Sequence, residues 1–84
     1  MNWTEQLNVI YEKLEENGFD EIKQELFDTQ LSGGTGGEIF LLITNYLIKI
    51  KKERLHVYLV IREEVDSILE YGVKIGYLDN TLSC

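Results

Sequence analysis

Thr35-Gly36-Gly37-Glu38-Ile39-Phe40-Leu41-Leu42-Ile43-Thr44-Asn45-Tyr46-Leu47-Ile48-Lys49-Ile50 is the stretch that decides the fold. Its first four residues read as a capping box. The Thr35 hydroxyl and the Glu38 carboxylate, three residues apart, can satisfy N–H groups that a helix start leaves without partners. The run behind them is the most apolar in the chain, with nine of the twelve residues 39–50 hydrophobic. Positions 39, 42, 43, 46, 47 and 50 recur at helical spacing, and apolar residues nearly encircle the axis. A helix over residues 36–52 is therefore expected, central in the fold. The stripe would continue at Glu53 and Arg54, and the charges there predict a stop near Lys52. Neither Gly nor Pro marks that break, so one continuous helix over residues 38–71 is the alternative.

Upstream, Ser32-Gly33-Gly34 completes a loop over residues 32–37 that holds four of the seven glycines. Before it, Trp3, Leu7, Ile10, Tyr11 and Leu14 form an amphipathic stripe that predicts a helix over residues 3–17. Asn2 is its expected cap, Glu5 stands at the third helical position, and Gly18 is placed to end it. Asp20 is the expected cap of a shorter helix over residues 20–30, carrying Ile22, Leu26 and Phe27 inward. A joint this short favours an antiparallel or steeply crossed pair.

Downstream, Tyr58, Ile61, Val65, Ile68, Leu69 and Gly72 predict a fourth helix over residues 55–75, closed by Gly76. Val57-Tyr58-Leu59-Val60-Ile61 has strand composition but no clear second strand to pair with. Residues 71–75 also alternate, so extended chain at 57–61 or 72–78 is the competing assignment. The expected fold is all-α: a single four-helix, bundle-like domain over residues 1–84, with helix three central.

At 84 residues the chain is near the size where one core is just sufficient. Its hydrophobic share of 44% and charged share of 27% are those of a folded chain rather than a disordered one. A lone Cys84 excludes an internal disulfide and suits a reducing compartment. No apolar run approaches the ~20 residues of a membrane helix. Met1-Asn2-Trp3-Thr4-Glu5 lacks the basic start of a signal peptide, so the expected location is cytoplasmic.

The compositional outlier is a net charge of −7. Through Glu38 there are nine acids against Lys13 and Lys23, whereas from Ile39 onward six acids meet six bases. Such a field repels nucleic acid and anionic membranes and attracts basic partners. The acids Glu12, Glu15, Glu16, Asp20, Glu21, Glu25 and Asp28 span the first two helices. They read either as a solvated face or as a recognition surface for a cationic partner.

Other candidate chemistry fails on spacing. The glycine loop precedes a helix but has no Lys after Gly37, as a P-loop requires, and Ile39 stands where a dinucleotide fingerprint needs glycine. Glu38 would also place a negative charge in an anion's seat. His56 has no metal-ligand or acid–base spacing around it. Cys84 has no neighbour that would activate a thiol. Lys49, Lys51, Lys52 and Arg54 form the basic cluster, expected to complement the end of helix three and to face Glu63, Glu64, Asp66 and Glu70. No catalytic residue, metal or cofactor is expected, and the protein is not expected to be an enzyme.

In size, charge and helical class the chain resembles the small acidic four-helix immunity proteins that neutralise nuclease toxins, without sharing a motif with them. The resemblance implies an immunity- or antitoxin-type inhibitor with a basic protein partner. The alternative is a homo-oligomeric structural or adapter module, most simply a two-fold dimer, self-associating through Phe40, Ile43 and Leu47 of the greasy third helix.

Overall fold

The computed structural model describes residues 2–78. Four helices follow in order: α1 Trp3–Glu16, α2 Asp20–Leu31, α3 Gly36–Glu53 and α4 Leu55–Lys74. α1 packs against α2 and α4, and α3 packs against the same two, so the helices close into a ring around one core. The all-α, bundle-like reading is thereby established, with no strand among the described residues.

The helix ends follow local chemistry. At α1 the Asn2 side chain accepts from the Thr4 backbone N–H at 3.1 Å, though no return bond from Glu5 closes a box among the described residues. α1 and α4 end alike. Gly18 and Gly76 take φ of +77° and +85°, conformations open to glycine at little cost. The N–H groups of Phe19 and Tyr77 then reach back to the carbonyls of Leu14 and Gly72 at 2.8 and 2.9 Å, the six-residue closure of a Schellman turn.

At α3 the Thr35 hydroxyl accepts from the Glu38 N–H at 3.2 Å. The Glu38 carboxylate returns to the Gly34 N–H at 3.3 Å, one residue earlier than a standard box. Gly33 lies so close over the start of α3 that a Cβ there would sit 2.5 Å from Ile39 Cγ1. The glycine loop is thus a tight cover for a helix start.

The continuous-helix alternative for residues 38–71 does not occur. Arg54, at φ −133° and ψ 63°, ends α3 and begins α4 in one residue. Its N–H still donates to Ile50, and its carbonyl accepts from Val57 and Tyr58 at 3.0 Å each. Residues 57–61 are helical, with a kink at Ile61, and α4 runs on to Lys74 before the Gly76 turn, so neither extended assignment holds.

The core contains Leu7, Ile10 and Leu14 of α1, Ile22 and Leu26 of α2, and the inward faces of α3 and α4. α3 reaches the centre through Phe40, Ile43, Leu47 and Ile50, and it shares that place with Val57, Ile61, Val65, Ile68 and Leu69 of α4. The register on α3 differs from the expected stripe. Thr44 is buried, donating to the Leu41 carbonyl at 2.9 Å, whereas Ile39, Leu42 and Tyr46 are half-buried. At one end Trp3, Tyr71 and Tyr77 surround Phe40, with ring centres 5.0, 5.8 and 5.5 Å away. Edge-on and tilted aromatic packing of this kind adds about 0.5–1.5 kcal/mol per pair beyond simple burial.

Two expectations about α2 are corrected. Phe19, not Asp20, is the N-cap, and Asp20 begins the helix. Phe27 does not point inward: it lies 43% exposed, one helical step of about 100° past the buried Leu26.

Candidate functional site

Chemistry-bearing residues are dispersed. His56 is exposed and lies edge-on to Phe19, with ring centres 5.8 Å apart. It lines a surface groove of about 350 Å³ with Arg54, Asp20 and Glu21, where the two acids oppose any anion the bases would attract. Among the described residues no three His, Cys, Asp or Glu side chains converge to hold a metal ion. Cys84 lies outside the described residues. Among the described residues no helix is long and apolar enough to cross a membrane.

The charges are organised by helix pair. Over α1 and α2 there are eight acids and two lysines, Lys13 and Lys23. Both lysines are committed. Lys13 turns away to α4, where its Nζ meets both carboxylate oxygens of Glu64 at 2.9 Å. Lys23 bridges to Glu15 of α1 at 2.9 Å, and that ammonium holds the Glu15 carboxyl below its usual value. Glu25 accepts from the Tyr46 hydroxyl at 2.5 Å and Asp28 from the Gln24 amide at 3.0 Å. Glu12, Glu16, Asp20 and Glu21 are exposed and make no ion pair among the described residues. All seven acids singled out from the sequence are solvent-facing, on two helices that pack side by side.

The basic cluster behaves only partly as expected. Lys51 reaches Asp66 at 3.4 Å and lies 5.3 Å from the Tyr58 ring centre, and Tyr58 donates to the same carboxylate at 2.6 Å. Lys49, Lys52 and Arg54 pair with no acid among the described residues. Glu64, expected to face this cluster, is buried and belongs to Lys13 instead. The correction has a simple cause. Glu64 shares the inward face of α4 with Ile61, Val65 and Ile68, and the cation able to reach that interface comes from α1.

The proposed self-association residues are also corrected. Phe40, Ile43 and Leu47 are 2%, 0% and 0% exposed within one copy of the chain, so they are core residues and present no surface to a second copy. The apolar side chains that do reach solvent include Phe27, Leu31, Leu41, Leu55 and Leu59. Phe27 and Leu31 went unnoticed as surface residues. Their signal was their spacing: with Asp20 and Gln24 they form an i, i+4, i+7, i+11 line off the Ile22–Leu26 stripe.

No family model, curated protein or solved structure matches the chain.

Proposed function

We propose that this chain is a non-enzymatic binding protein whose α1–α2 layer covers a basic protein partner, in the manner of an immunity protein or antitoxin. The observation that supports this reading is the fate of the two lysines. With Lys13 drawn to α4 and Lys23 held by Glu15, the remaining acids of α1 and α2 face solvent and form no ion pair among the described residues. The α3–α4 layer, with six acids and five bases over the two helices and Arg54 between them, offers no comparable field. A one-sided negative field raises the rate of encounter with a cationic surface and resists like-charged competitors.

The test is affinity capture from the native host, read by mass spectrometry. A basic protein retained at low salt, released by high salt and lost with the Glu12→Lys, Glu16→Lys, Glu21→Lys variant is the expected result. Glu15 is left intact in that variant because Lys23 already holds it. Recovery of only the chain itself, or of a partner whose retention ignores both salt and charge reversal, overturns the reading.

A further inference from the structure

The outer side of α2 carries two apolar side chains that the bundle leaves uncovered. Phe27 and Leu31, one turn apart, are 43% and 65% exposed. Phe27 is not loose: it packs edge-on to Tyr11 of α1, with centres 6.1 Å apart, and the Tyr11 hydroxyl donates to Gln30 at 2.7 Å. A groove of about 420 Å³ opens beside it, lined by Asp20, Lys23, Gln24 and Phe27. Asp20 lines that groove, the exposed Asp28 directly follows Phe27 in the helix, and the lysine in the groove is held by Glu15. A held aromatic anchor inside a polar rim has the anatomy of an interface core, where a few large side chains carry most of the affinity.

We infer that the outer face of α2 is a docking surface for a cationic amphipathic helix of a protein partner, whose apolar residues cover Phe27 and Leu31 while its lysines and arginines meet Asp20 and Asp28. The occupant is fixed by complementarity. An acidic or neutral apolar segment would bury these carboxylates without counter-charge, and a purely basic segment would leave the apolar pair wet. A helix presenting apolar residues at i, i+3, i+4 and i+7 between basic ones satisfies both demands. This inference rests on the acidic-binder reading and adds to it the site and the apolar half of the recognition.

The experiment uses two synthetic peptides of equal positive charge, one with leucines at that helical spacing between lysines and one with serine at every leucine position. Each is titrated into the full chain and followed by fluorescence anisotropy and backbone amide NMR. The leucine peptide should bind with salt-dependent affinity and shift the amides around Gln24, Phe27 and Leu31. The serine peptide, and the Phe27→Ser, Leu31→Ser variant against the leucine peptide, should each bind roughly tenfold more weakly. Asp20→Asn, Asp28→Asn should weaken both peptides. Circular dichroism confirms that the variants stay folded, as exposed positions allow. Equal binding of the two peptides, or shifts centred on Leu41, Leu55 or Leu59, overturns the docking surface and leaves the charge reading standing. Salt-dependent binding of neither peptide overturns both.

Discussion

The α1–α2 and α3–α4 halves treat charge in opposite ways. In the second half two acids do structural work, while Glu53, Glu63 and Glu70 stay exposed: Glu64 receives Lys13 where the bundle buries its carboxylate, and Asp66 gathers Lys51 and the Tyr58 hydroxyl. In the first half, apart from the exposed Glu15–Lys23 bridge and the Glu25–Tyr46 and Gln24–Asp28 bonds, acids project into water. Exposed ion pairs contribute little to stability, typically under about 1 kcal/mol. The fold therefore leans on Glu64 and Asp66 and is nearly indifferent to the acids of α1 and α2. A surface that stability does not need is available for recognition.

The largest expected effect tests whether the first half is held by its core side alone. Leu26→Ala, at a position with no exposure, should cost about 2–5 kcal/mol through lost burial and the cavity left behind. Its neighbour Phe27→Ala should cost about 1 kcal/mol, the scale of the lost Tyr11 contact. Denaturant titration of both variants measures the contrast. A Phe27 cost equal to that of Leu26 would mean that its ring is covered in solution, and would break the division of α2 into a core side and a docking side.

Next in size is the ion pair that joins the halves. Lys13→Met leaves the Glu64 carboxylate nearly buried without its cation, at an expected cost of about 1–3 kcal/mol. The full 3–5 kcal/mol seen for enclosed pairs does not apply, because the Lys13 side chain is 34% exposed. Adding Glu64→Gln should recover part of the loss, since a neutral amide is less costly to bury than a lone charge. A double-mutant cycle reads the coupling directly. Coupling near zero would mean that this ion pair adds nothing to the packing that joins the halves.

The helices were legible in the sequence because their ends are written in local chemistry. Asn2, Gly18, Thr35 and Gly76 each act within a few residues of the boundary they set. The α3–α4 break was only half-legible. Arg54 adopts a negative φ that any residue accepts, so no Gly or Pro was required to mark it. The register of α3 was misread because residues on nearly every side of it are apolar, and periodicity then says little about which side faces in. The candidate surface was legible as charge and illegible as shape. Phe27 directly follows the buried Leu26, and hydrophobicity alone does not separate two adjacent residues that lie about 100° apart.

A smaller effect concerns the phenols that tie elements together. Burial, first, and then the Glu25 carboxylate beside it push the Tyr46 hydroxyl well above the ordinary value of 10.0. Burial likewise pushes Tyr11 up to about 12. The folded state thus favours the neutral phenol. Its contribution is fully present below pH 10, and is lost as pH rises past 10 and through the folded-state values. The thermal midpoint should fall across that window. Tyr46→Phe should cost about 1 kcal/mol at neutral pH through the lost hydrogen bond and flatten the alkaline decline. A decline of unchanged slope in that variant would remove Tyr46 from the account.

The smallest effect is the sharpest test of the comparison, because its sign is opposite to the others. Glu16 is the last residue of α1, exposed and without an ion pair among the described residues. A negative charge there opposes the helix dipole and repels Glu12 one turn earlier. Glu16→Lys reverses both terms. It places a cation at the helix C-terminus and creates an i, i+4 Glu–Lys pair in the favoured orientation. Lys13, three residues back, adds little repulsion because its ammonium is held on the α4 side by Glu64. The variant should be more stable by about 0.5 kcal/mol at low ionic strength, and the gain should vanish in molar salt, where the Debye length is about 3 Å. Denaturant midpoints at two salt concentrations read it. A loss of stability would mean that Glu16 supports the fold after all. A gain, paired with weaker retention of a basic partner by Glu16→Lys, would identify an acid kept at the expense of stability for the sake of binding.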